Sequence, residues 1–412
     1  MVKRVLMIAF HYPPMQGSSG IQRTLSFARG LPRHGWEPLV LSVHPRAYLA
    51  TSDDQLVQAQ DGCTVQRSFA LDAGRDLAVR GRYPGLLALP DRWSSWWLSA
   101  LPAALRMIRR HRPSAIWSTY PIATAHLVGL SVQRVSGLPW VADQRDPMTE
   151  DDYPADPRTR RLHRWIEARA VARGAAVVCT TPGALAACRT RFPGAPEARF
   201  ELIENGYDED SYAPAPPQAR AGAPFTLLHS GLIYPCERDP GALFCALAAL
   251  RDAGRIGPGT LRVVLRASGH DEVLRPMIAQ HRLAGIVELG GALPYRAALA
   301  EMQAADGLLL LQAANCNAQI PAKLYEYLRA QRPILALTDA AGDTAGKLRG
   351  CGVDTIAALD SADAIAAALP RFMRLAADGA APIAGAAIVA AQSRAARTAE
   401  LAHLFDRITE TS

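Results

Sequence analysis

Short apolar runs alternate along most of the chain with segments whose hydrophobic residues recur every three to four positions. The runs have strand length and the segments between them have helical period, which predicts parallel sheets covered by helices on both faces. The first unit reads as a strand Val5–Phe10, a loop through Gly20, a helix Ile21–His34 closed by Gly35, and a strand Pro38–Val43. Further strands are predicted at Ala115–Thr119, Trp140–Asp143, Ala176–Thr180 and Glu201–Ile203. A second series runs through Phe225–His229, Arg262–Arg266, Gly307–Leu311 and Pro333–Leu337. Between the series, 207–224 is rich in Pro and Ala and reads as a linker. The expected architecture is therefore α/β, with two doubly wound domains, 1–206 and 225–386, facing each other across a cleft. Residues 387–412 read as a tail carrying one long helix from Ala387 to about Ile408.

The segment from Ile320 to Leu337 carries the sharpest chemical signal. Pro321 suits the first position of a helix, where its missing N–H costs nothing. The helix is expected to run to about Gln331, with a buried strand after Pro333. Leu324, Tyr327 and Leu328 then face the core, while Lys323 and Glu326, three apart, share one face near the positive end of the helix. Free helix amides with a lysine and a carboxylate just inside them can hold a phosphate and, beside it, a sugar hydroxyl.

Composition sharpens this reading. Of the 45 basic residues only Lys3, Lys323 and Lys347 are lysines, so Lys323 stands out as a compact point charge in an arginine background. The chain has 412 residues, of which 49% are hydrophobic and 20% charged, which suits two globular domains and excludes a disordered chain. The net charge of +7 calls for an anionic partner. No basic helix, zinc-finger spacing or aromatic-basic strand pattern supports nucleic acid, whereas a nucleotide diphosphate or an anionic membrane surface accounts for the charge. Seven cysteines without a C-x-x-C pair fit reduced thiols rather than a zinc site. Val5–Phe10 is too short for a signal-peptide core, so a cytoplasmic protein is expected.

Other positions carry two readings each. The loop from Pro13 through Gly17, Ser18, Ser19 and Gly20 joins a strand to a helix, either as an anion-approaching turn or as an ordinary one; it lacks the G-x-G-x-x-G fingerprint. Arg23 on the following helix either reaches a ligand or is solvated. Asp143 and Asp146, at the end of a strand, either accept an acceptor hydroxyl's proton or orient it, or else pair with Arg145 or cap a helix. Asp239-Pro240 reads as an N-cap and first helical position, and Arg266 as a surface pairing or a ligand contact. Asp151-Asp152 and Asp208-Glu209-Asp210 read as solvated loop charge rather than metal ligands. Trp93, Trp96 and Trp97 are core residues or, with the arginines that follow, a membrane-interface patch.

Several segments together resemble the family 4 glycosyltransferases, which have the GT-B fold of two Rossmann-like domains. They are His11-Tyr12-Pro13-Pro14 with Gly17-Ser18-Ser19-Gly20, Asp143-Gln144-Arg145-Asp146-Pro147, Glu204-Asn205-Gly206-Tyr207-Asp208, Gly231-Leu232-Ile233-Tyr234 with Arg238-Asp239-Pro240, and Pro321–Arg332. The resemblance implies retaining transfer of a sugar from a nucleoside-diphosphate sugar to an acceptor hydroxyl, without a bound metal or other cofactor. The expected setting is bacterial polysaccharide, lipopolysaccharide or glycolipid assembly, with a glycan, glycolipid or other hydroxyl acceptor. The charge and the tryptophan–arginine patch, rather than the resemblance, add an expected peripheral contact with an anionic membrane at its inner face. Arg238 resembles the arginine that grips the donor diphosphate; Lys323 joins it there, Glu326 matches the glutamate that holds ribose, and the loop Gly17–Gly20 and Gly231 lie against the donor. The tail helix is implied to cross back onto the N-terminal domain. One departure stands out: many members carry a second glutamate eight positions before the first, where this chain has Ala318. Asn315, Asn317 or Gln319 then remain to hydrogen-bond the sugar. A nucleotide-sugar 2-epimerase of the same fold and a non-catalytic glycosyltransferase-like subunit are the alternatives.

Overall fold

A computed structural model describes residues 3–15, 19–52, 63–145, 147–150, 153–213 and 222–410. The chain divides into two compact units, Met1–Asn205 with Arg394–Ser412, and Gly206–Ser393.

In the first unit the apolar runs become β1 (Lys3–Ile8), β2 (Trp36–Val43), β3 (Thr64–Ser68), β4 (Ala115–Thr119), β5 (Trp140–Arg145), β6 (Ala176–Cys179) and β7 (Phe200–Leu202). They form one sheet in the order β3-β2-β1-β4-β5-β6-β7, every described pairing parallel. The chain thus winds outward from β1 in one direction and from β4 in the other. Alternation of side chains fills both faces. Leu6, Ile8 and Phe10 pack on one side with Leu39 and Leu41, whereas Val5, Met7 and Ala9 pack on the other with Val40.

The helices of this unit are α1 (Ser19–Gly30), the one-turn α2 (Ala73–Asp76), α3 (Trp96–His111), α4 (Ala123–Ser136), α5 (Pro157–Arg173), α6 (Pro182–Arg191) and, from the end of the chain, α14 (Arg394–Glu410). The predicted helix Ile21–His34 is α1 followed by a tighter 3₁₀ turn, Leu31–His34, closed by Gly35 at φ 78°. Leu401, Leu404 and Phe405 of α14 join the core that also contains Leu25 and Phe27 of α1. The tryptophans belong to the core. Trp96 is fully buried and donates to Ser68 Oγ, Trp97 donates to Ser131 Oγ, and Trp93 stacks at 4.9 Å on Phe10. A membrane patch made of these three rings is thereby overturned.

The second unit holds β8 (Phe225–Ser230), β9 (Leu261–Arg266), β10 (Val287–Gly290), β11 (Gly307–Gln312), β12 (Ile334–Thr338) and β13 (Ile356–Ala357), in the order β10-β9-β8-β11-β12-β13. Its helices are α7 (Gly241–Asp252), α8 (Asp271–Gln280), α9 (Tyr295–Ala304), α10 (Lys323–Ala330), α11 (Asp343–Gly350), α12 (Ala362–Ala377) and α13 (Ala386–Ala391). Leu309 and Leu311 face the cluster built with α7 and α12, and Leu308 and Leu310 face the one built with α9 and α10. The strand order reverses between β8 and β11, where open α/β sheets place their ligands beyond the carboxyl ends of the strands.

Two segments differ from expectation. The single tail helix is two helices, α13 and α14, broken at Gln392-Ser393, where Ser393 bridges to Tyr207 and Gln392 accepts from Lys347. Near the start of 207–224, Tyr207 is buried in the second unit, and Tyr212 OH donates to the Glu326 carbonyl. Residues 214–221 lie outside the described segments.

Candidate functional site

The carboxyl end of β8 is the starting point. His229, fully buried, donates from Nδ1 to the Leu309 carbonyl of β11 at 2.9 Å, which leaves Nε2 as an acceptor. Burial, reinforced by the neighbouring Lys323 charge, holds this histidine's pKa well below its usual value, so the ring is neutral. Gly231 follows at φ 102°, a conformation that side-chain-bearing residues rarely adopt.

α10 brings Lys323 to this point. The helix buries Leu324, Tyr325, Tyr327 and Leu328 and ends at Gln331 in the left-handed region, two residues before Pro333. It begins at Lys323 rather than at Pro321. Pro321 and Ala322 accept from Leu324 and Tyr325 in tighter i→i+3 turns, so the first α-helical residue is the lysine itself. Lys323 Nζ lies 3.0 Å from His229 Nε2, and a Cβ on Gly231 would approach Nζ to 3.2 Å. Burial and then the charge of Arg238 hold the lysine's pKa well below its ordinary value, against a smaller opposite pull from Glu326. Tyr327, one turn on, donates to Leu309 O at 3.4 Å and receives the Ser230 amide at 2.9 Å. Strand end and helix start are thus tied together.

Arg238 lies over the Tyr234 ring at 5.2 Å and donates from Nη1 to the Leu232 carbonyl at 2.8 Å. Glu326 accepts from the Tyr295 hydroxyl at 2.8 Å. Lys323, Arg238, Glu326 and Gly231 are therefore gathered around one strand end. Pro321 stands just before the helix instead of in it. Asn317 donates to Asp339 Oδ2 at 2.6 Å, and Asn315 to the Cys236 carbonyl at 2.9 Å. Gln319 contributes its carbonyl, which accepts from Gln312 and Thr344. A 620 Å³ cavity beside this loop is lined by Asp239, Asp339 and Asp360 together with Gln312 and Leu359. Three carboxylates repel a diphosphate, so the cationic Lys323–Arg238 side is the one suited to an anion.

In the first unit the aspartates take another course. Asp143 is fully buried and grips Arg23 through both oxygens, at 2.8 and 3.0 Å, while Thr119 donates to it at 2.9 Å. Arg23 also donates to the carbonyls of Ile203 and Glu204. Arg23, expected to be solvated or ligand-facing, is thus a buried tie between α1, β5 and the segment after β7. The partner of Asp143 is Arg23, not Arg145. Arg145, at φ 55°, sits at a register shift in β5 and points at α1: a Cβ on Gly20 would meet its Nη1 at 2.3 Å. Of the loop before α1, Gly17 and Ser18 lie outside the described residues, as do Asp146 and Asp151-Asp152; Ser19 opens α1. Arg266 pairs with Glu301, both half-buried, and Asp239 accepts the Gly241 amide as α7 begins, one residue later than expected. His229, Tyr295 and Tyr327 were missed as site residues; only His229, last in a predicted strand, left a trace in the sequence.

Residues 19–206 match the family model described as a glycosyl transferase 4-like domain. That stretch is similar to the family, and the chain as a whole has the GT-B fold. Among solved structures, the chain is similar to sucrose-phosphate synthase from Thermosynechococcus elongatus, at 14% identity over 100% of both chains with a TM-score of 0.69. It is also similar to Anabaena HepE in complex with UDP-glucose, at 14% identity over 99% of this chain and 98% of that one, with a TM-score of 0.62. A trehalose 6-phosphate synthase from Burkholderia multivorans, 11% identical, aligns over 100% of both chains with a TM-score of 0.65. Among curated proteins none matches the sequence. Among the described residues, no helix is long and apolar enough to cross a membrane.

Proposed function

We propose that the protein transfers a sugar from a nucleoside-diphosphate sugar to an acceptor hydroxyl, with retention, in bacterial polysaccharide, lipopolysaccharide or glycolipid assembly in the cytoplasm. The observation that carries this reading is the placement of Lys323 at the first turn of α10, against Gly231 and within the field of Arg238, with Glu326 one turn along. Similarity to a structure holding UDP-glucose supports a nucleotide-sugar donor.

The chemistry follows from charge. Breaking the glycosidic bond builds negative charge on the departing diphosphate, and cations preorganised there stabilise the transition state more than the bound donor. Lys323 supplies a point charge and Arg238 a planar fork, so no metal is called for. His229 is a positioning residue: as a neutral acceptor it fixes Nζ without adding competing charge. Glu326 accepts from ribose hydroxyls, a task for which the Tyr295 hydroxyl already orients its carboxylate.

Ala318, at the position where related enzymes carry a glutamate, favours a second reading in which the chain binds donor without turnover. Incubation with a panel of nucleoside-diphosphate sugars, with and without glycan and glycolipid acceptors, tests the proposal. Acceptor-dependent release of nucleoside diphosphate supports it. Donor interconversion without acceptor would make the protein an epimerase, and binding without any turnover would make it a non-catalytic subunit.

A further inference from the structure

The helices α3, α4 and α5 cover one face of the first unit's sheet, joined through the core that contains Met107, Val128 and Ala170. Their solvent side has an unusual charge pattern. α5 exposes Arg158, Arg161, Arg164, Arg169 and Arg173, spaced three to five residues apart along a helix of 17 residues, about 25 Å. α3 adds Arg106, Arg109 and Arg110, and α4 adds Arg134, all exposed. Against these, the three helices contain a single carboxylate. It is Glu167, buried and engaged by Arg191 at 2.7 Å and by Thr149. Among the described residues none of the nine exposed arginines has a carboxylate at ion-pair distance. Just outside α5, Asp156 caps its N-terminus through Thr159.

The opposite layer shows that this is not simply the chain's overall basicity. There α14 carries Glu400, Asp406 and Glu410, with Glu400 paired to Arg397 and Asp406 to Lys3. Each helix of the basic layer also pushes one large apolar side chain into solvent: Leu98 on α3, 69% exposed, Val135 on α4, 65%, and Trp165 on α5, 40%. Arg169 stacks over Trp165 at 5.6 Å.

We propose that the α3–α4–α5 face docks on an anionic lipid bilayer. Guanidinium forks bind phosphate oxygens of lipid headgroups in pairs. Leu98, Val135 and Trp165, spread one per helix among the arginines, enter the headgroup region, where an indole ring is well accommodated. A broad layer of surface helices with dispersed apolar points fits a lipid surface better than it fits a nucleic-acid strand, which calls for a groove with stacking rings. This surface is independent of the donor-site reading.

The test uses the full chain with vesicles of phosphatidylglycerol and of phosphatidylcholine, followed by sedimentation. Binding to the first and not the second is expected, and it should weaken steeply with added salt. Replacing Arg161, Arg164 and Arg173 with Gln removes exposed charges only and should weaken binding roughly 100-fold, from about fivefold per arginine near an anionic surface. Removing the same charge elsewhere, at exposed Arg33, Arg371 and Arg374, should leave binding largely intact. Absence of binding to phosphatidylglycerol vesicles overturns the proposal, as does equal loss in the two triple variants. Retention on heparin without vesicle binding would make the partner a soluble polyanion and overturns it as well.

Discussion

Lys323 Nζ lies 3.0 Å from His229 Nε2, and the histidine is held for this contact by its second nitrogen on the Leu309 carbonyl. One β-strand and one helix, 94 positions apart in sequence, thereby fix the Lys323 Nζ at the switch point of the sheet. Lys323→Ala should lower kcat by about 10²–10³, as removal of a single preorganised donor does elsewhere. Lys323→Arg should recover only part, since a longer planar fork cannot place one compact charge at the same point. Saturating steady-state kinetics check this, and a near-wild-type kcat in Lys323→Ala would contradict it.

Gly231→Ala is expected to harm the site twice. The φ of 102° costs a side-chain-bearing residue about 1–3 kcal/mol, and the new Cβ would crowd Nζ at 3.2 Å. Denaturant midpoints and donor titration should both show losses; wild-type donor affinity would separate Gly231 from the site.

The Arg23–Asp143 pair predicts a stability effect rather than a catalytic one. Asp143→Ala leaves a buried guanidinium without its carboxylate and should destabilise the first unit by about 3–5 kcal/mol. Urea unfolding measures this. A stable variant with lost turnover would instead restore Asp143 to the chemistry.

The pattern of apolar runs made the parallel, two-sheet architecture legible, because buried parallel strands are nearly continuous hydrophobic segments. It did not reveal β3, β10 or β13. Thr64–Ser68 alternates exposed and half-buried residues, Val287–Gly290 has little more than Val287 buried, and Ile356–Ala357 is two residues long. Lys323 was legible because lysine is rare here and follows Pro321. The role of Asp143 was not, since Arg23 lies 120 positions away and a local reading offers only Arg145. Tyr295 was invisible for the same reason: its contact with Glu326 depends on how α9 packs beside α10.

Acid should weaken the protein before its carboxylates titrate. Burial lowers the pKa of His126 to about 4, so the folded chain refuses a proton that the unfolded chain accepts below its model value of 6.5. The contribution is therefore lost as pH falls from 6.5 toward 4, and amounts to about 2 kcal/mol by pH 5. His229, shifted in the same direction, adds to the loss. Denaturant midpoints at pH 7 and pH 5 should differ, and less so in His126→Asn. A stability that is flat over this range would contradict the buried neutral assignment.

The most direct test of the donor site is calorimetric titration of the wild-type chain and Glu326→Ala with uridine, thymidine, adenosine and guanosine diphosphates. The wild type should bind at least one of them. Glu326→Ala should bind that nucleotide more weakly by about 1.5–3 kcal/mol, the worth of hydrogen bonds to a charged group, while melting close to the wild-type temperature. Unchanged affinity for all four in a folded Glu326→Ala, or no binding by the wild type, would contradict the account.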